Sequence, residues 1–313
     1  MELQRTKFVK KLQHIPRKIY LPLLGLVLVL AAGLAYRQIW HKSAKPAESV
    51  VVEAKYVSFN GGYLFSIPAR YVANETAIAG VTIAYPESQP MPSGKKLEEL
   101  YTTGAVAVQL ITQLKDDNEQ AFKDYVNNTL AADLRKTLNS ASDVREASRG
   151  SIYAKEVFAL DNSGAHLRVA AAINFPQPVL ITAANDNEPF KTIFSTTEDL
   201  RKSKLKPDID HAAQAAKSVA DMLYRQDASG IRDKSTTDFN KNVTKNQLVA
   251  NLSLSATYLD RKITVVGGTY DGKVFIAQLA FEPKTTDKVP VSGVMSLSKQ
   301  GKNWELDGFQ LPQ

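Results

Sequence analysis

Hydrophobic and polar positions divide the chain into one continuous apolar run and two longer patterned segments. The run from Ile19 to Tyr36 holds eighteen residues without a charge. At about 1.5 Å of rise per residue it covers roughly 27 Å, and about 33 Å if continued to Trp40, against a bilayer core of about 30 Å. A transmembrane helix is predicted over 19–40, with Ile19, Tyr20, Leu24, Val27, Leu30, Leu34, Tyr36 and Trp40 as its anchor residues. Tyr20, Tyr36 and Trp40 sit near its ends, where amphipathic rings favour the headgroup layer. A cleaved signal peptide, with Ala31 to Ala35 as the processing site, is the alternative.

Residues 41–54 read as a stalk. From 55 to 200 the pattern alternates between strands and helices. Tyr56–Phe59 and Tyr63–Ile67 flank Asn60-Gly61, a hairpin signal. Val81–Tyr85 and Ala105–Leu114 read as buried strands. Phe122, Tyr125, Val126, Leu130, Leu134 and Leu138 recur at three and four, the face of an amphipathic helix over 118–138. Ser151–Leu160, His166–Asn174 and Val179–Ala183 are further strands. A helix with Pro189 in its first turn follows, to about Arg201. The basic stretch that ends at Pro207 reads as a linker over 201–207.

From 208 to 313 helices come first and strands last. Ala212, Ala216, Val219 and Leu223 share one face of a helix over 211–226, and a short helix is expected over 231–239. Thr244 and Gln247 form a capping-box signature. Four strands follow: Lys262–Tyr270, Lys273–Glu282, Val289–Ser298 and Asn303–Leu311, with Gly308 marking a bulge. The third-from-last strand is apolar on both faces (Phe275, Ala277, Leu279, Phe281 against Val274, Ile276, Ala280), which places it centrally. The expected fold class is α+β: an N-terminal transmembrane helix, then two α+β domains, each an antiparallel sheet packed with helices.

Charge changes the picture only at the N-terminus. The formal charge is +7, yet residues 1–45 hold nine of the 39 basic side chains and one of the 32 acids. The remainder is therefore nearly neutral, which argues against nucleic-acid binding. Arg5, Lys7, Lys10, Lys11, Arg17 and Lys18 precede the apolar run, and three basic residues follow it. Basic residues stay on the untranslocated side, so residues 1–18 are a cytoplasmic tail and residues 41–313 lie outside the cytoplasm of a single-pass protein of the cell membrane. Lys7, Lys10, Lys11, Arg17 and Lys18 determine that topology and would meet anionic headgroups of the bilayer. The absence of cysteine excludes disulfides, thiolate metal sites and a lipoprotein anchor.

Chemistry-bearing constellations are sparse. His14, His41, His166 and His211 are scattered, without metal-ligand spacing. Asp208-Ile209-Asp210-His211 reads as a helix start, and Asn185-Asp186-Asn187-Glu188 as a loop with an N-cap. No nucleophile elbow or phosphate loop occurs. Tyr270, Asp271 and Gln278 are the polar candidates near the C-terminal sheet centre, where a pocket would have to form. A pocket filled by Phe275, Leu279 and Met295 would exclude catalysis there. No cofactor is expected.

Gly62-Tyr63-Leu64-Phe65-Ser66-Ile67-Pro68 with Tyr71, and Val179-Leu180-Ile181-Thr182 followed by Glu188-Pro189-Phe190, resemble the PsbP-like group over 55–200. Pro68 directly after Ile67 departs from that group's pattern. Members of that group bind partners or are uncharacterised, and they share no single activity. The element order of 208–313 resembles the nuclear transport factor 2-like, cone-shaped α+β group, whose curved sheet forms a pocket used for catalysis or for subunit contact. The expectation is a non-catalytic binding or assembly role at the cell envelope, with a protein partner or self-association. A membrane-anchored enzyme using the C-terminal cone pocket is the alternative.

Overall fold

The computed structural model describes residues 53–90, 103–114, 119–130, 132, 142–149, 152–160, 166–173, 178–185, 187–285, 287 and 290–312. The tail, the apolar run and most of the stalk lie outside these residues, and with them every anchor and topology residue named above. Among the described residues no helix is long and apolar enough to cross a membrane.

Fourteen strands are described: β1 Lys55–Ser58, β2 Tyr63–Ser66, β3 Tyr71–Ile78, β4 Val81–Pro86, β5 Val106–Leu110, β6 Ser142–Arg149, β7 Ile152–Leu160, β8 His166–Ile173, β9 Val179–Ala183, β10 Glu198–Asp199, β11 Ile263–Tyr270, β12 Val274–Phe281, β13 Ser292–Gln300 and β14 Asn303–Gln310. The helices are α1 Glu119–Asp124 (continued by a π turn, Tyr125–Leu130), α2 Glu188–Thr196, α3 Lys206–Tyr224, α4 Ala228–Asp233, α5 Thr237–Asn242, α6 Lys245–Leu254 and α7 Ala256–Leu259.

Strand alternation explains the hairpin. On β1 and β2, Tyr56, Tyr63 and Phe65 face one way while Val57 and Leu64 face the other, and all five are buried. An element apolar on both faces must lie inside a sheet covered on both sides. Its loop runs from Phe59 to Gly62 rather than turning on Asn60-Gly61 alone. Gly62 supplies the left-handed backbone at φ 65°, and Ser58 Oγ accepts the Gly61 N–H at 2.8 Å.

Two seven-stranded antiparallel sheets result. The first runs β10-β2-β1-β11-β12-β13-β14 and the second β3-β4-β5-β9-β8-β7-β6. Membership differs from the expected division at 201–207. β1 pairs with β11 (Tyr56 opposite Thr269), so the hairpin of the first segment completes the sheet of the second. The expected linker is structured: Leu200–Lys202 form a 3₁₀ turn with Leu200 buried, and Lys206 opens α3. The described residues, from Glu53 onward, belong to one compact unit.

Helices cover the outer face of the first sheet. Ile209, Ala212, Ala216, Val219 and Leu223 of α3 pack on Phe275, Ala277, Leu279, Met295, Leu297 and Leu306. The helix expected over 231–239 is two short ones, α4 and α5. Asp227 caps the first by accepting from Gly230 N at 2.9 Å, and Thr236 caps the second through Phe239 N at 3.1 Å. The Thr244–Gln247 capping box is present on α6. β12 is central, and the register of β13 and β14 slips between Ser296 and Leu297, opposite Gly308 and Leu306.

The inner face of the first sheet meets the second sheet. Tyr56, Tyr63 and Phe65 pack with Ala73, Ala84, Val106, Val108 and Ile181, and α2 adds Phe190 and Ile193. On the far side of the second sheet, Phe122, Val126 and Leu130 cover Ile111, Ala172 and Leu180.

Candidate functional site

The three polar candidates are not brought into one pocket. Asp271 shapes a turn: its Oδ1 accepts the N–H groups of Lys273 (2.8 Å) and Val274 (2.7 Å). Tyr270 reaches from the end of β11 to α3, where its hydroxyl donates to Asp208 Oδ2 at 2.5 Å. Lys299 Nζ meets the same oxygen at 2.7 Å and lies 5.8 Å from the Trp304 ring centroid. Burial pushes the Asp208 carboxyl up, but the bonds from Lys299 and Tyr270 outweigh it and hold it below its ordinary range. The Trp304 indole N–H completes no hydrogen bond, yet it too favours the charged carboxylate. The Tyr270 phenol is driven up by burial, then by its bond to Asp208. This cluster ties the first turn of α3 to the sheet.

Gln278 has a different role. It projects from β12 towards the second sheet, where its Nε2 donates to Ala73 O at 2.7 Å. Its Oε1 accepts from Glu75 N and from the Tyr56 hydroxyl, both at 2.9 Å. Glu75 lies in β3, a strand not expected from the sequence, where Asn74-Glu75-Thr76 interrupts the apolar pattern. Those three are buried because the register of β3 slips between Asn74 and Ile78. Asn74 Oδ1 fills the gap by accepting from Thr76 N (2.8 Å), Thr76 Oγ1 (3.0 Å) and Ala77 N (2.9 Å).

The sheet face expected from the sequence to hold a pocket is filled. Phe275, Leu279 and Met295 are fully buried against α3 and its neighbours. An open groove of about 570 Å³ lies instead beside α3, lined by His211, Gln214, Ser218, Lys234, Trp304 and Glu305, among others. Gln214 and Ser218 stand one turn apart on α3, and His211 one turn before them. Lys234 and Lys302 line it together with Asp233 and Glu305, so its lysines and carboxylates balance. Among the described residues His211 is the one histidine near the C-terminal sheet, and it is exposed. Asp210 pairs with Lys206 on the same helix. Among the described residues no three His, Asp or Glu side chains are placed to hold a metal ion.

Fold and site together define an α+β protein with two facing antiparallel sheets, a buried polar junction between them and a shallow polar groove on one side. No family model matches the chain, and no curated protein gives a match. Among solved structures it is similar to a point mutant of the protein Mog1, with 15% identity over 47% of this chain and 95% of that one, at a TM-score of 0.29. It is similar to the Ran-binding protein Mog1p of Saccharomyces cerevisiae (12% identity, 46% and 94% coverage, TM-score 0.28). A third is the cyanobacterial PsbP, CyanoP, of Synechocystis sp. PCC 6803 (13% identity, 50% and 98% coverage, TM-score 0.29). CyanoP bears the name of the PsbP-like group that residues 55–200 resemble, and its overlap with this chain is weak.

Proposed function

We propose that this chain is a single-pass membrane protein whose α+β body stands outside the cytoplasm and acts by binding or assembly with a protein partner, without catalysis. One observation carries the non-catalytic reading: the sheet face where a cone-fold pocket would open is occupied by Phe275, Leu279 and Met295. Tyr270, Asp271 and Gln278 are meanwhile committed to structural hydrogen bonds. The location rests on the run Ile19–Tyr36 and its basic fringe, with Lys7, Lys10, Lys11, Arg17 and Lys18 against anionic headgroups. The groove beside α3 offers hydrogen-bonding side chains of both charges, which suits a polar protein surface.

Carbonate extraction and protease accessibility test the location. The full-length chain should stay in the membrane pellet, and residues 53–313 should be digested from outside once any outer barrier is removed. Protection of those residues, or an uncleaved soluble chain, overturns it. A photo-crosslinking residue at Gln214 tests the groove, with exposed Asn251 on α6 as the control position. Crosslinks confined to Gln214 support a contact there, whereas equal yields at both positions count against it.

A further inference from the structure

The polar junction between the sheets can be followed proton by proton. The carbonyl of Ala73 only accepts, so the Gln278 bond to it at 2.7 Å fixes the amide with Oε1 turned to Tyr56 and Glu75 N. Amide Oε1 also only accepts, so the Tyr56 hydroxyl, 2.9 Å away, spends its single proton on Gln278. On the other side, the Tyr63 hydroxyl faces the carbonyl of Val108 at 3.2 Å and donates to it. The Tyr63–Thr82 bond of 2.8 Å must then be made with the Thr82 proton. Glu75 Oε2 is left 3.3 Å from Tyr56 Oη and 3.5 Å from Thr82 Oγ1, two oxygens whose protons are both in use. Ionised, Oε2 would face the lone pairs of these two oxygens unless one of them turned its proton. A carboxylic acid donates to Tyr56 and completes the chain Glu75 to Tyr56 to Gln278 to Ala73.

We propose that Glu75 is a proton-binding site, and that its bound proton is the clasp holding the two sheets together at this junction. The Tyr56–Gln278 bond joins β1 and β12 of the first sheet, and the other links cross between sheets: Glu75 on β3 to Tyr56 on β1, Gln278 on β12 to Ala73 on β3, and Tyr63 on β2 to Thr82 on β4 and Val108 on β5. Space is tight as well. A Cβ at Gly267 would lie 2.7 Å from Tyr56 Oη and 3.0 Å from Glu75 Oε2.

The groups acting on Glu75 come from every neighbouring element. Ser58 and Asn60 at the hairpin loop, Tyr56 on β1 and Thr82 on β4 offer hydrogen bonds that favour the charged form. The phenols of Tyr56 and Tyr63 are the titratable groups facing it. Both are driven above their ordinary range by burial first and by the Glu75 charge second. Among the described residues no lysine, arginine or second carboxylate acts on it. Burial therefore prevails and lifts the carboxyl from 4.5 to about 7.

The fold binds this proton more tightly than the unfolded chain does. Its stabilisation is complete below the ordinary carboxylate value and is lost as pH rises towards neutrality. On ionisation Tyr56 must turn its proton from Gln278 to Glu75, and the tie through Gln278 Oε1 weakens.

The test uses the full chain in detergent micelles, labelled with ¹³C at glutamate side chains. One carboxyl resonance should titrate near neutral pH and be missing from Glu75→Gln. Titration of all glutamates below about pH 5 overturns the proposal, whether or not the variant folds. Urea unfolding then reads the clasp. From pH 5 to pH 8 the wild-type folding constant should fall on the order of a hundredfold relative to Glu75→Gln, whose amide keeps the donor at all pH. Parallel pH profiles for the two chains would show that the proton holds nothing.

Discussion

At the scale of single residues, polar side chains in an apolar strand show where two layers meet. Sequence alternation located Gln278 as a polar residue in a largely apolar strand and marked it as a pocket candidate; its role at the junction of two layers was not legible. Its partners were not legible, because Tyr56 is 222 residues away and Glu75 is 203 residues away. Glu75 itself gave no signal, since an acid between Asn74 and Thr76 has the composition of a surface turn. Tyr270 was located correctly on its strand, but its partner is Asp208 on α3 rather than a ligand. Replacing Tyr270 with Phe should destabilise the fold by about 1–2 kcal/mol, because it removes one donor to a charged acceptor while Lys299 remains. The Asp208 carboxyl should titrate higher in that variant, since a bond favouring its charged form is lost. Urea midpoints and ¹³C titration of the aspartates check both; an unchanged midpoint would show that Lys299 alone holds the helix start.

At the scale of elements, strong periodicity and local capping were readable, whereas structure created by tertiary pairing was not. β9, β11, β12 and β14 fall close to their expected ranges, and the capping box of α6 is formed as expected. β3 was missed because its middle is polar and its register slips, so neither period two nor an apolar run identifies it. The slip depends on Asn74, whose side-chain oxygen satisfies the backbone N–H groups of Thr76 and Ala77 in a buried setting. Asn74→Ala should therefore cost about 2–3 kcal/mol, the penalty of leaving buried donors without an acceptor. By contrast Thr244→Ala on exposed α6 should cost about 1 kcal/mol, an ordinary capping loss. Equal losses in the two variants, measured by denaturant unfolding, would mean that the bulge donors find another acceptor.

At the scale of the whole molecule, sheet membership departs from sequence order. The composition shift near residues 201–207 suggested a boundary, because charged residues and a proline gather there. The physical boundary is set elsewhere, by a hairpin with two apolar faces. Val57 and Leu64 complete the core beneath α3, while Tyr56, Tyr63 and Phe65 complete the core between the sheets. Residues 208–313 alone would lose β1, β2 and β10, exposing the β11 edge from Ser58's partner Gly267 to Tyr270. They would also uncover the apolar side chains that Val57 and Leu64 now shield. An unpaired edge beside exposed apolar surface favours association over folding. That fragment should be aggregated or loosely packed, whereas residues 53–313 should give a dispersed amide spectrum and a cooperative unfolding transition. Supplying the hairpin by joining residues 53–68 to 208–313 should restore part of the dispersion, because it repairs the β11 edge without the second sheet. A fully folded, monomeric 208–313 would show that β11 to β14 and their helices carry a sufficient core without the hairpin.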